Sequence, residues 1–289
     1  MSQRLDVTLV SRGLAASRTQ AQTLVRAGLV RVDGTVVTRP ATPVPDGGVE
    51  VEVLTSGVEG EAAWILRGWV GRGALKLDHA LERWPVPVAG RRCLDVGAST
   101  GGFTQVLLER GAAQVRALDV GHGQLDQRLA RDPRVVEVSG TSVRGLTGAE
   151  VGGPVDLLVA DLSFISLALV LADLATLTRP GADLVLLVKP QFEVGPEGLG
   201  RGGLVRSSER RERVLAELDA RARTLGLAPL DLDHSPVTGT HGNIEYLWWL
   251  RRCPHPGPCP VPADGMMGCG PGAAALGSRR RELVQEEKA

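Results

Sequence analysis

Of the 33 cationic side chains in this 289-residue chain, only Lys76, Lys189 and Lys288 are lysines; the other 30 are arginines. Arginine keeps its charge at every accessible pH, whereas lysine can give up a proton. The few lysines are therefore candidates for proton chemistry, against the plainer explanation that codon bias toward arginine left them by chance. Asp119 and Asp161 each end an apolar run, and Lys189 ends a third. The segment Asp95-Val-Gly-Ala-Ser-Thr-Gly101-Gly-Phe103 reads as a glycine-rich turn between a strand and a helix, where backbone can approach a ligand closely. It lacks the Gly-Lys-Ser/Thr of a phosphate-binding P-loop and the strict Gly-x-Gly-x-x-Gly spacing. An acid at the end of the next strand, Asp119, can bind ribose hydroxyls. Spacing alone thus points to a nucleoside-containing cofactor, with a dinucleotide and S-adenosylmethionine both open.

These residues need a frame. Near-continuous apolar strands are predicted at 93–96, 115–119, 135–138, 157–160, 184–188 and 244–250, with a weaker one at 227–232. Helices lie between most of them, for example at 103–110 and 208–226. That alternation predicts an α/β fold with a parallel sheet covered on both faces. Its carboxyl edge, where such sheets bind ligands, would carry Asp161 and Lys189.

Residues 1–58 form a separate small unit. A first helix is predicted to end at Gly13, and Ser17 is a good N-cap for a second helix over 18–27, closed by Gly28. Asp33-Gly34 between β-branched runs predicts a hairpin, and a last strand follows at 49–54. The first 40 residues hold six arginines against two aspartates, a local charge of +4. Residues 59–70 read as an interdomain linker, 71–250 as the main domain, and the Pro/Gly-rich 251–289 as a disordered tail.

Composition removes several classes. No start resembling a signal peptide is present, and the longest apolar run, 162–172, falls short of the roughly 20 residues a membrane helix needs. Four cysteines, three of them in the tail, are too sparse for a disulfide framework, which fits a cytoplasmic location. Cys253, Cys259, Cys269 and His255 match no zinc spacing, so no metal is expected.

The N-terminal pattern of Arg4, Asp6, Ser17-Arg18, Ala21, Leu24, Gly28, Val30 and Val32-Asp-Gly34 resembles the S4 RNA-binding domain. The resemblance implies that Arg4, Arg18 and Arg26 meet structured RNA. Further along, Asp95-Val-Gly-Ala-Ser-Thr-Gly-Gly-Phe103, Asp119-Val-Gly-His-Gly-Gln-Leu125, Asp161-Leu-Ser-Phe-Ile-Ser166, Lys189-Pro-Gln-Phe-Glu193 and Gly242-Asn-Ile-Glu245 occur in this order. Together they resemble the TlyA (hemolysin A) family of ribosomal RNA 2′-O-methyltransferases, an S4 domain joined to an FtsJ-like, Rossmann-like methyltransferase domain, over roughly residues 1–250.

This resemblance implies S-adenosylmethionine as cofactor and, as substrate, cytidines in small- and large-subunit ribosomal RNA. It implies a catalytic set of Lys76, Asp161, Lys189 and Glu245. It also implies a cofactor site of Asp95, Gly97, Ser99, Thr100, Gly101, Gly102, Phe103, Asp119, Ser142 and Asp161. Arg67 and Arg72, in and beside the linker, join the RNA-binding candidates, since Arg67-x-Trp69-Val70 resembles the family's interdomain element. The sequence departs from the family pattern at Gly71, Ala74, His122 and Ser142, which bears on cofactor and substrate detail more than on reaction type.

The chemistry is consistent with these residue types. A ribose 2′-hydroxyl must lose its proton as it attacks a sulfonium methyl group, and a neutral lysine can accept that proton. Free lysine has a pKa of about 10.4, which burial and neighbouring cations lower. The expected roles are Lys189 as base, Asp161 as its orienting acid, and Lys76 with Glu245 positioning the ribose. Two alternatives remain: a non-catalytic RNA-binding or ribosome-assembly protein that keeps an unused cofactor fold, and a membrane-active cytolysin, as the family's older name implies.

Overall fold

The computed structural model describes residues 2–45, 47–55, 62–239, 242–255, 257–259 and 273–286. Lys288, Cys269, residues 59–61 of the expected linker and residues 260–272 of the expected tail lie outside the described residues. The chain divides into two compact units, Met1–Leu75 and Lys76–Ala289.

The first unit runs β1 (Ser2–Arg4), α1 (Leu5–Ser11), α2 (Arg18–Arg26), β2 (Val30–Val32), β3 (Thr35–Val36), β4 (Pro43–Pro45), β5 (Val51–Val53) and α3 (Ala63–Leu66). The Ser17 hydroxyl accepts from Gln20 N and starts α2, as N-cap chemistry demands. Asp33 and Gly34 both take positive φ, 48° and 76°, which a two-residue turn of the right twist requires. They connect β2 to β3, while β5 pairs with the other edge of β2. Leu5, Leu9, Ala21, Leu24 and Val25 make the buried seam between the two helices. The proline-rich stretch, expected as a connection, contains β4 paired antiparallel with β1. Proline can serve there because a two-stranded edge leaves its missing donor unneeded.

The second unit takes up the chain within α4 (Gly73–Arg83). It continues through β6 (Arg92–Val96), α5 (Gly102–Glu109), β7 (Gln114–Asp119), α6 (Gln127–Ala130), β8 (Val135–Ser139), β9 (Val155–Ala160), α7 (Leu167–Thr176), β10 (Thr178–Val188), α8 (Pro190–Glu193), α9 (Ser208–Thr224), β11 (Leu227–His234), β12 (Tyr246–Arg252) and α10 (Ala273–Glu286). Seven strands form one sheet in the order β11-β12-β10-β9-β6-β7-β8. β9, apolar except for Asp156, and most of β10 are buried, as a sheet covered on both faces requires. Strand order reverses between β6 and β9, so a crevice opens at their carboxyl ends.

Two expectations are corrected here. The sheet is not wholly parallel: β12 runs antiparallel to both β10 and β11. A helix is needed to return a chain for parallel pairing. The described residues between β11 and β12, 235–239 and 242–245, contain no such crossover, and the two strands pair as a hairpin-like unit. The expected disordered tail also contains α10 at residues 273–286. Leu283 joins the main core, Leu276 and Val284 are buried, Arg279 pairs with Asp233 at 3.1 Å, and Arg280 pairs with Asp219. Apolar residues at the spacing of Leu276, Leu283 and Val284 make one helical face; the glycine and proline bias of the preceding segment masked it. Cys253 and Cys259 are joined by a disulfide. This is one local link rather than a framework; Cys259 N donates to the Arg223 carbonyl in α9 and Cys253 N to the Gly226 carbonyl just after it.

Candidate active site

Each end of the sheet's central strands delivers one functional group. β9 ends at Ala160 and releases Asp161; β10 ends at Val188 and releases Lys189. β12 runs the other way, with Tyr246 opposite Val188, so the residue just before it, Glu245, arrives at the same edge. α4 supplies Lys76. The four side chains form one connected ionic network. Lys76 Nζ donates to Glu245 Oε2 at 2.8 Å and to Asp161 Oδ2 at 3.3 Å. Lys189 Nζ lies 2.6 Å from Asp161 Oδ1. Lys76, Lys189 and Glu245 are all under 9% exposed. Buried charges survive only when paired, and here two cations meet two anions.

The electrostatics follow from that pairing. Burial acts to raise the Asp161 pKa, but the charges of Lys76 and Lys189 outweigh it and hold the carboxyl below its ordinary value. Asp161 is therefore ionised and can orient both amines. Lys189 Nζ also donates to Ser163 Oγ at 2.8 Å, and it stands 5.9 Å from the centre of the Phe192 ring.

Beside this network lies a cavity of about 450 Å³ in the crevice between β6 and β9, within the size range of small-molecule sites. Of the expected cofactor residues, Gly97, Ser99, Asp119, Ser142 and Asp161 line it. Gly97 has φ +83°, and a Cβ there would sit 2.7 Å from the Asp161 carbonyl oxygen, so only glycine fits. Asp119 accepts from Ser99 N and Gly121 N, both at 2.8 Å, which fixes the carboxylate while each oxygen keeps a lone pair for a ligand.

Asp95, Thr100, Gly101, Gly102 and Phe103 stand off the lining. Asp95 lies fully buried beneath the turn and accepts from Thr104 Oγ1 at 2.7 Å. Burial raises its pKa to about 7. Gly101, at φ +97°, turns the chain into α5 where a side chain would strike Leu125 and Leu129. Phe103 is packed in the core.

The sequence reading passed over Ser163 and Phe164, which also line the cavity. Phe164 is 91% exposed at φ +64°, with its ring 5.4 Å from that of Phe192. A β-carbon residue at positive φ is a strained position. Both residues sit within the Asp161–Ser166 motif; the signal available was an aromatic residue three positions after the acid that follows β9.

Of the RNA-binding candidates in the first unit, Arg4 immediately precedes α1 and Arg18 and Arg26 lie on α2. Arg4 and Arg18 both bond the fully buried Asp6 at 3.0 Å, together with Gln22 at 2.9 Å. Hydrogen bonding from Arg4 leads the effects that hold the Asp6 carboxyl well below the usual range. Both guanidinium groups remain about half exposed, held in place rather than neutralised on their outer faces. Arg26 reaches Gln22, and Arg67 stands over the Trp69 ring at 4.8 Å. Arg72 lies just before α4.

Among the described residues no helix is long and apolar enough to cross a membrane, and no group of three metal-ligating side chains occurs. The FtsJ-like methyltransferase family model matches residues 69–252, and the S4 domain model matches residues 3–51. The chain is 52% identical over 248 residues to a Mycobacterium tuberculosis protein named 16S/23S rRNA (cytidine-2′-O)-methyltransferase TlyA, covering 86% of this chain and 89% of that one. It is 34% identical to Hemolysin A of Brachyspira hyodysenteriae over 84% of this chain and 98% of that one. A solved Streptococcus thermophilus structure that carries a hemolysin name superposes with TM-score 0.69 at 34% identity, covering 99% of this chain and 98% of the other.

Proposed function

The chain belongs to the TlyA family of FtsJ-like methyltransferases, and from that premise we propose that it methylates the 2′-oxygen of cytidine ribose in ribosomal RNA with S-adenosylmethionine. The observation that carries this reading is the continuous buried network Glu245–Lys76–Asp161–Lys189, which reaches the crevice at Asp161. Two amines and two carboxylates at one buried sheet edge are what a hydroxyl needs to be held and deprotonated.

The cavity fits the cofactor on the chemistry of its wall. The glycine turn at Gly97 leaves backbone open to close approach, Asp119 presents a fixed carboxylate for ribose hydroxyls, and Val120 and Val143 offer apolar surface for a base. Ser99 and Ser142 would complete the polar lining, while Asp95, Gly101, Gly102 and Phe103 would shape the turn from behind. When bound there, the cofactor supplies an electrophilic methyl group on a sulfonium.

The chain's own residues do the rest. Asp161 stays ionised between the lysines and orients them. Lys189 accepts the proton of the 2′-hydroxyl. Lys76, locked by Glu245, donates to the ribose and holds its oxygen in line. Phe164 offers an exposed ring for a base drawn out of its stack. Arg4, Arg18, Arg26, Arg67 and Arg72 grip phosphates, which gives affinity without sequence choice. A ribosomal-subunit substrate supports a cytoplasmic location.

The test is transfer of labelled methyl to purified ribosomal subunits by the wild type and by Lys189→Ala, followed by mass spectrometry of the rRNA nucleosides. A 2′-O-methylcytidine made by the wild type and lost in the variant supports the assignment. Equal transfer by both removes Lys189 as base, and no transfer together with no S-adenosylmethionine binding in calorimetry returns the chain to a non-catalytic RNA-binding role.

A further inference from the structure

Ser163 touches Lys189 but lies outside the expected catalytic set. Its Oγ accepts from Lys189 Nζ at 2.8 Å, while Asp161 Oδ1 lies 2.6 Å from the same nitrogen. Both acceptors come from one short stretch that follows β9, and Ser163 lines the cavity. The side chain is exposed apart from this contact, so packing does not explain its position.

A neutral amine carries two N–H donors and one lone pair, at three staggered positions about the Cε–Nζ bond. An ionised carboxylate can only accept, and a serine oxygen can accept as well. If Asp161 takes one donor and Ser163 the other, the third position is left to the lone pair. We propose that Ser163 is a positioning residue: it holds Lys189 Nζ from one side while Asp161 pairs with it from another, so that when the amine gives up its extra proton its lone pair faces the incoming 2′-hydroxyl. This rests on the reading of Lys189 as the proton acceptor. In the step itself the O–H electron pair stays on the ribose oxygen and forms the new bond to the methyl carbon. The C–S pair leaves with sulfur, and the proton ends on Lys189 Nζ, to be released to solvent before the next turnover. Without Ser163 the amine can turn its lone pair away, toward water, while still donating to Asp161.

The experiment compares wild type, Ser163→Ala, Ser163→Thr and Lys189→Ala in single-turnover methyl transfer to ribosomal subunits, with cofactor affinity by calorimetry and melting temperature as a check on folding. Ser163→Ala should slow transfer about tenfold, the rate equivalent of one ordinary hydrogen bond. Its cofactor affinity and KM for RNA should not change, and Ser163→Thr, which keeps the hydroxyl, should regain most of the rate. An unchanged rate in Ser163→Ala overturns the proposal. So does a raised KM or weakened cofactor binding at unchanged kcat, which would make Ser163 a binding residue, and so does failure of threonine to rescue. These outcomes are distinct from failure of the underlying reading, which would show as Lys189→Ala transferring as fast as the wild type.

Discussion

Replacing Lys189 by arginine separates charge from proton transfer. Lys189 is 8% exposed and its Nζ meets Asp161 at 2.6 Å and Ser163 at 2.8 Å. Arginine keeps the unit charge beside Asp161 and can donate to the same oxygens, so the anion is not left with one cation fewer. Lys189→Arg should therefore cost at most about 1 kcal/mol of stability, whereas Lys189→Ala, which removes one of the two cations on Asp161, should cost about 1–3 kcal/mol. A guanidinium does not release its proton and cannot accept another. A positioned general base contributes about 10²–10⁴ in rate, or about 3–5 kcal/mol of barrier. Single-turnover transfer by Lys189→Arg should fall by that factor while S-adenosylmethionine affinity and melting temperature hold. Activity within about tenfold of the wild type, the rate equivalent of a single hydrogen bond, would refute the reasoning, because Lys189 would then act through its charge alone.

Three further outcomes follow from the geometry. Gly97→Ala places a Cβ 2.7 Å from the Asp161 carbonyl at φ +83°; it should cost about 1–2 kcal/mol of backbone strain and weaken cofactor binding in calorimetry, and wild-type affinity would count against the placement of the cofactor. Asp95 has a pKa raised by burial to about 7, so between about pH 4 and 7 the folded chain holds a proton that the unfolded chain has released. Stability from this group is complete below that window and is lost as pH rises through it; Asp95→Asn, always neutral, should flatten the fall in melting temperature between pH 5 and 8, and parallel curves for the two proteins would exclude the shift. Leu283→Ala empties a fully buried position where α10 meets the core; it should cost about 2–5 kcal/mol, read as a lower urea midpoint, and an unchanged midpoint would show that α10 adds nothing to the fold.

The two halves of the candidate site differ in how far the sequence revealed them. Asp161 and Lys189 were readable because each ends a near-continuous apolar strand, and adjacent parallel strands bring their carboxyl ends together. Lys76 was legible only through resemblance to a family, since nothing local separates it from a helix-surface cation; its burial depends on Glu245, 169 residues away. Asp95 entered the expected cofactor site through the resemblance; its place in β6 points it inward, toward Thr104. The tail helix escaped because composition averaged over 251–289 hid the short apolar face of Leu276, Leu283 and Val284.

By itself the sequence determined most element types, though not β4 or α10, together with the order of the two units and the turn chemistry, because strand and helix periods, the Ser17 cap and the Asp33-Gly34 turn are local properties of the chain. It did not determine strand direction at the end of the sheet. In a parallel arrangement the residue preceding the last strand would lie at the far, amino edge, away from Asp161 and Lys189. Only the antiparallel pairing of β12, with Tyr246 opposite Val188, brings Glu245 to the ligand edge and gives Lys76 its buried partner, because pairing direction is chosen by hydrogen bonds between strands distant in the chain rather than by any residue's own preference.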